Sequence, residues 1–213
     1  NINVLFCVGG DGSLRCARDV AEECIRRKLK ISVVGIPKTI DNDLQFVGRS
    51  FGFETAVSIA SDVIRNAHVE AKGAAHGIGL VKLMGRDSGF IAAYASIANP
   101  VVNFCLIPEM GFTLDGTGGL LKALENRFAA GKTHAVVVVA EGAGQDLIKG
   151  EDERRDASGN VLKKDIGAFL KGRISAYFKE KGESCTVKYF DPSYMVRSVP
   201  ARGTDAIRCY MLA

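Results

Sequence analysis

PKTIDNDL, residues 37 to 44, closes the apolar run ISVVGI (31–36) and sets Lys38, Thr39, Asp41, Asn42 and Asp43 almost side by side. Two carboxylates, a lysine and a hydroxyl at one strand end match the division of labour in phosphoryl transfer. One carboxylate takes a proton from the attacking hydroxyl, a second helps hold a metal, and a lysine neutralises the moving phosphoryl group. The same residues also read as an Asx-type turn, in which Asp and Asn bond their own backbone.

A second cluster favours the chemical reading. VGGDGS (8–13) ends the first strand-like run and opens a helix, so Gly10, Asp11, Gly12 and Ser13 sit where backbone N–H groups and a positive helix end can hold an anion. Asp11 inside a phosphate cradle is electrostatically wrong unless a cation bridges it, which implies Mg²⁺ between protein and phosphates. The plainer alternative is a Gly-rich turn with Asp11 as a helix cap. The pattern GxxxxGK[ST] is absent, so the phosphate grip differs from that of a P-loop.

KLMGRDSGFIA (82–92) repeats the plan of strand, glycine, charge and helix, with Arg86 at the tip able to fork onto a phosphate. Its alternative is a solvated arginine, with Asp87 and Ser88 capping the helix. Glu141 directly follows the apolar run 134–140, and YMVR (194–197) follows the last strand-like run. Each is weak alone. Five polar clusters at successive strand ends point to one site, because ligands gather at the carboxyl ends of parallel strands.

The elements that must position them are legible as apolar runs at 3–8, 31–36, 77–83, 101–107, 134–140 and 185–190. Helical spacing lies between most of them, over 14–29, 50–70, 88–98, 117–130 and 164–181; in the first, Leu14, Ala17, Val20, Ala21 and Ile25 share one face. Near-continuous apolar strands alternating with helices predict an α/β fold, a mostly parallel sheet covered on both faces. The polar, Gly-rich stretch 142–163 is expected to be a long exposed loop. No repeat or low-complexity tract occurs.

The 213 residues are 47% hydrophobic and 24% charged, enough for a sizeable core and unlike a disordered chain. No apolar run reaches bilayer length, and with Asn1 directly before a strand-like run no leader is expected. Six scattered cysteines without a CxxC pair, mostly in apolar sequence surroundings, read as reduced thiols, hence a cytoplasmic setting. The net charge of +4 suits anionic small molecules. No Lys/Arg block with interleaved aromatics marks a nucleic-acid partner.

Together GGDGS, PKTIDND, MGR followed by SGF, Glu141 and YxxR resemble the 6-phosphofructokinase family over essentially the whole chain, nearest the branch carrying PKTIDND and AEGxGQ. The resemblance implies two Rossmann-like lobes: residues 1–51 in a phosphoryl-donor lobe, 52–198 in a fructose 6-phosphate lobe, and 199–213 returning to the first. It implies Mg²⁺-dependent transfer from ATP to the 1-hydroxyl of fructose 6-phosphate. Asp41 then matches the proton acceptor with Thr39 beside it, Asp43 and Asp11 match the metal carboxylates, and Arg86 steadies the transferring group. Met84 and Gly85 line the sugar, Glu141 receives its hydroxyls, and Tyr194 and Arg197 meet the 6-phosphate side, with Tyr194 replacing a common histidine. Lys188 matches an arginine that reaches a neighbouring subunit of a homo-oligomer, dimer or tetramer, while Gly77 stands where another such arginine is common. Gly12 leaves room for the ATP α-phosphate, whereas Lys38 is usual in enzymes that use pyrophosphate. A catalytically silent paralogue is opposed by Asp11, Asp41, Asp43 and Arg86. Lipid and NAD kinases share GGDG but lack PKTIDND and MGR. The family's first Gly-rich strand and a C-terminal portion are expected outside residues 1–213.

Overall fold

The computed structural model describes residues 2–150, 155 and 161–212. Among these residues six strands and six α-helices alternate: β1 (Val4–Gly9), α1 (Asp11–Arg26), β2 (Ser32–Pro37), α2 (Phe53–Lys72), β3 (Gly77–Leu83), α3 (Phe90–Ile97), β4 (Phe104–Leu106), α4 (Leu120–Ala129), β5 (His134–Ala140), α5 (Ile166–Glu180), β6 (Thr186–Phe190) and α6 (Gly203–Leu212). All strand pairings are parallel, but they form two sheets, β1-β2 and β4-β5-β3-β6. The α/β class read from the sequence is therefore the fold.

GIGLVKL and HAVVVVA become the central strands β3 and β5 because they are apolar on both faces. Ile78, Leu80, Val137 and Val139 enter a core beneath α4 and α5, around Leu124, Leu170 and Phe178. Val81, Leu83, Val136 and Val138 enter the opposite core beneath α2 and α3, around Phe53, Ile64 and Ile91. Each such buried aliphatic side chain contributes roughly 1.5–3 kcal/mol, which makes this sheet the rigid platform. Gly79 is required there: a Cβ would lie 2.6 Å from the Ala67 carbonyl oxygen of α2.

The small sheet departs from expectation. Burial on both faces was predicted, yet Val4, Phe6 and Val8 of β1 are exposed, Phe6 by 62%. Among the described residues, only α1 packs along β1 and β2. Helix α1 also starts at Asp11 rather than residue 14, because the polar DGS turn is already helical, and Ile25 is exposed instead of facing the sheet. The run 101–107 pairs only over Phe104–Leu106. Of the six thiols, Cys16, Cys105 and Cys209 are exposed, so local apolar sequence did not report their burial.

Helix α6 carries no strong sequence signal and is held by polar docking. Asp205, buried, accepts the Thr55 backbone N–H at 2.8 Å and its hydroxyl at 2.7 Å, and Thr55 Oγ1 accepts the Arg202 N–H at 2.9 Å. The N-cap of α2 is Gly52, which has no side chain to cap it. Asp205 supplies that carboxylate from 150 residues away. Within the expected 142–163 loop, Gln145–Leu147 forms a 3₁₀ turn, and residues 151–154 and 156–160 lie outside the described residues.

Candidate active site

In the small sheet the two sequence clusters meet. Gly9 pairs in register with Pro37, and the Lys38 N–H donates to the Gly9 carbonyl at 2.9 Å. A Cβ on Gly10 would lie 3.5 Å from Thr39 Cβ, so the GGDGS and PKTIDND turns touch. Gly9 must be glycine, since a Cβ there would lie 2.3 Å from Ser13 Oγ. Asp11 is the first residue of α1 and pairs with Arg15 at 2.8 Å. The N-cap of α1 is Gly10, which has no side chain to cap the helix, so the sequence alternative of Asp11 as the cap does not hold. Around Gly12 a Cβ would meet no atom within 4 Å, so that side of the turn is open.

The loop between β2 and α2 presents Asp41. Ile40 packs into the α2/α3 core, and the next residue is left at the edge of that core. Asp41 Oδ1 is buried and has no hydrogen-bond partner. Desolvation pushes its carboxyl up to about 6; the charges of Asp43 and Glu141 push the same way, while Arg86 and Lys38 oppose them. Thr39 Oγ1 accepts the Asp41 N–H at 3.2 Å, so local side-chain bonding is real here but leaves the carboxylate out. The Asp41 carbonyl accepts the Ser88 hydroxyl at 2.9 Å, tying this loop to the tip of the large sheet.

That tip is built by β3 and β5, whose last residues Leu83 and Ala140 pair. Glu141 donates its N–H to the Leu83 carbonyl at 2.8 Å. Its Oε1 accepts the N–H groups of Gly85 at 3.1 Å and Arg86 at 2.7 Å. Gly85 (φ 149°) and Arg86 (φ 53°) both have positive φ, which only glycine adopts without cost. Met84 packs against the α2/α3 core just before them. The sequence alternative for Asp87 and Ser88 does not hold: the N-cap of α3 is Gly89, Asp87 pairs with Lys163, and Ser88 serves Asp41.

Three contributors were missed in the sequence. Glu109 accepts the Gly89 N–H at 2.8 Å and so sits at the start of α3. Gln145 donates to the carbonyls of Glu141 at 2.7 Å and Lys164 at 3.0 Å, holding the chain after Glu141; its only signal was the final Q of AEGxGQ. Asn42 is the third, and its partners are given below.

Other residues named from the sequence stand apart. Lys188 pairs in register with Gly79, four residues before the end of β3 and thus about 13 Å from the tip, and its Nζ bonds Glu70 at 2.6 Å. Tyr194 is 75% exposed, and Arg197 lies over its ring at 4.7 Å from the centroid. Gly77 excludes any side chain, because a Cβ would lie 2.0 Å from the Ala71 carbonyl oxygen. Asp43 is exposed on the loop beside Asp41. Among the described residues no three His, Cys, Asp or Glu side chains converge on a metal position. The carboxylates of Asp11 and Asp43 nonetheless offer the oxygen donors that Mg²⁺ takes.

The family model described as phosphofructokinase matches residues 1–213. An ATP-dependent 6-phosphofructokinase of Borreliella burgdorferi is 50% identical over 100% of this chain and 48% of its own length. ATP-dependent 6-phosphofructokinase 1 of Arabidopsis thaliana is likewise 50% identical, over 100% of this chain and 45% of its own. The chain spans about half the length of the curated relatives it matches. Among solved structures, a pyrophosphate-dependent phosphofructokinase from Marinobacter aquaeolei aligns with a TM-score of 0.71 at 24% identity, over 98% of this chain and 49% of the other. Phosphofructokinase from Saccharomyces cerevisiae aligns at 0.70 and 21%, over 99% and 28%. These two show the fold.

Proposed function

Since the chain belongs to the phosphofructokinase family, we propose that the complete protein transfers the γ-phosphoryl group of ATP to the 1-hydroxyl of fructose 6-phosphate, giving fructose 1,6-bisphosphate and ADP. The observation that carries this reading is Asp41: a carboxylate with one buried, unpartnered oxygen, set where the loop of the small sheet meets the tip of the large one. Its raised affinity for a proton suits a base acting near neutral pH.

Asp41 takes the proton of the 1-hydroxyl as that oxygen bonds to the γ-phosphorus and the bond to the bridging oxygen of ADP breaks. Thr39 steadies Asp41 through its backbone. Arg86, at the tip beyond β3, and Lys38, at the end of β2, carry the positive charge that the transferring group needs. Gly10, Asp11, Gly12 and Ser13 cradle the donor phosphates at the start of α1. Asp11 and Asp43 would hold Mg²⁺, which supplies charge neutralisation on the phosphates when bound. Met84, Gly85 and Glu141 line the sugar, with Tyr194 and Arg197 toward its 6-phosphate.

Residues 1–51 form the donor lobe and 52–198 the sugar-phosphate lobe, a division the separation of the two sheets supports, while 199–213 leave the second lobe toward the first through α6, docked on α2. Lys188 lies on β6, the edge strand of its sheet, which supports a role toward a neighbouring copy in a homo-oligomer. No described helix is long and apolar enough to cross a membrane. The described cysteines are all unpaired, which supports a cytoplasmic location. Lys38 favours pyrophosphate as donor, but the open space at Gly12 and the ATP-dependent names of the relatives at 50% identity favour ATP. Steady-state assay of the complete protein with fructose 6-phosphate and either donor tests the reading. Turnover with ATP supports it, and turnover with neither donor overturns it.

A further inference from the structure

Asn42 separates two aspartates with assigned tasks, and it has none in the scheme above. Its φ is 55°, a left-handed conformation that asparagine tolerates better than most side chains. It is 8% exposed, although it lies in a surface loop. Its Oδ1 accepts the Ser50 N–H at 2.7 Å, and its Nδ2 reaches the Gly48 carbonyl at 3.4 Å. Ser50 is fully buried, and its hydroxyl donates to the Thr39 carbonyl at 2.6 Å. Asn42 and Ser50 thereby close residues 42–50 into a loop whose neck is fastened back onto Thr39.

Asp41 is framed by these bonds on every side. Ile40 before it is part-buried against the large sheet's core, and Asn42 after it is clamped to Ser50. Its own N–H is taken by Thr39 and its carbonyl by Ser88. None of these contacts touches the Asp41 carboxylate, so together they set its direction without occupying it. The left-handed step at Asn42 turns the chain between two successive carboxylates. It leaves Asp41 half-buried against the large sheet and Asp43 exposed.

We propose that Asn42 is a positioning residue for the transfer: its clamp on Ser50, made in a left-handed turn, aims the Asp41 carboxylate at the tip of the large sheet. The inference rests on the reading of Asp41 as the proton acceptor. A misplacement of about 1 Å in a reacting group costs on the order of 10²-fold in rate while leaving substrate affinity nearly intact.

The test uses the complete enzyme with ATP and fructose 6-phosphate. Asn42→Gly keeps the left-handed backbone and removes the clamp. Its kcat should fall by about 10- to 100-fold, with both KM values within about threefold. In an Asp41→Ala background the same substitution should change kcat by less than about twofold, because a residue that acts through Asp41 has nothing left to aim. Should Asn42→Gly fail to fold, Ser50→Ala removes the hydroxyl's bonds to the Thr39 carbonyl and to Asn42 Oδ1 while keeping the backbone N–H on Asn42, and a loss of a few-fold in kcat that vanishes on Asp41→Ala carries the same meaning. Wild-type kcat with only a lower Tm makes Asn42 a loop-closing residue and overturns the inference, as does a loss that multiplies undiminished on Asp41→Ala. An Asp41→Ala enzyme with normal turnover would instead remove the base on which the inference rests.

Discussion

Glu141 Oε1 accepts the backbone N–H of Arg86 at 2.7 Å, and by that bond one strand tip dictates the conformation of another. Arg86 sits at φ 53° and Gly85 at 149°, a turn that would otherwise leave two N–H groups without a carboxylate acceptor. The carboxylate proposed to receive sugar hydroxyls therefore also shapes the tip that presents the arginine.

Glu141→Ala should cost more than a lost sugar contact. Two tip N–H groups lose a charged acceptor, each such bond being worth about 1.5–3 kcal/mol, and Arg86 loses its support. Glu141→Gln retains an oxygen in the same place and should be milder. Steady-state kinetics of the complete enzyme should show kcat falling and the KM for fructose 6-phosphate rising in the alanine variant, with glutamine in between. Equal effects of the two would mean that charge alone matters.

Burial holds Asp41 protonated up to about 6, well above an ordinary aspartate. As the proposed base it must be ionised, so kcat should decline as the pH falls through about 6. The sign for stability is opposite. The folded state binds this proton more tightly than the unfolded chain, so its stabilising contribution is fully present below the unfolded value near 4 and is lost as the pH rises through about 6. Asp41→Asn at pH 7.5 should accordingly raise Tm by a few degrees while lowering kcat by roughly 10²–10⁴-fold. Calorimetry showing a lower Tm would contradict the desolvation account.

Asp205 caps α2 from another part of the chain, so its loss should appear as instability rather than as a binding defect. Removing such a cap costs about 1–2 kcal/mol. Thermal unfolding should rank wild type above Asp205→Asn, whose amide oxygen still accepts, and Asp205→Asn above Asp205→Ala. An unchanged Tm in the alanine variant would show that α6 docks by other contacts.

Gly12→Asp should fold, because the added Cβ meets no atom within 4 Å. It should nonetheless impair ATP use more than pyrophosphate use. A carboxylate about 4 Å from the α-phosphate repels it by roughly 4 kcal/mol at an effective dielectric near 20, and pyrophosphate has no nucleoside to displace. The measurement is kcat/KM for each donor. Equal losses would reduce Gly12 to a turn residue.

Arg197→Ala should mainly raise the KM for fructose 6-phosphate, since the phosphate contact proposed for it is a ground-state contact worth about 1.5–3 kcal/mol. In this chain Arg197 rests on the exposed Tyr194 ring. Tyr194→Ala should therefore share part of the effect by loosening the guanidinium. An unchanged KM in both would place the pair in solvent.

What the sequence determined by itself was local. GIGLVKL and HAVVVVA read as strands buried on both faces, because apart from Lys82 and the leading His134 every residue in them is apolar or glycine. GGDGS and PKTIDND declared themselves as turns, since their glycines, proline and short polar side chains suit a chain leaving a strand, and parallel pairing then brought them together. Tertiary structure decided everything that depends on partners far apart. Nothing in the segment around Glu141 announces two N–H donors 55 and 56 residues earlier, and nothing in RGTDAIR announces Thr55, 150 residues away. Apolar runs could not reveal that Phe6 faces outward while Val138 is buried, because both lie in strands of similar pattern and only the packing of other elements distinguishes them. The place of Lys188 near the amino end of the sheet was likewise set only by the register of β6 against β3. Hydrophobic periodicity and turn chemistry are written along the chain, whereas hydrogen-bond partners across it are set only when the sheet is assembled.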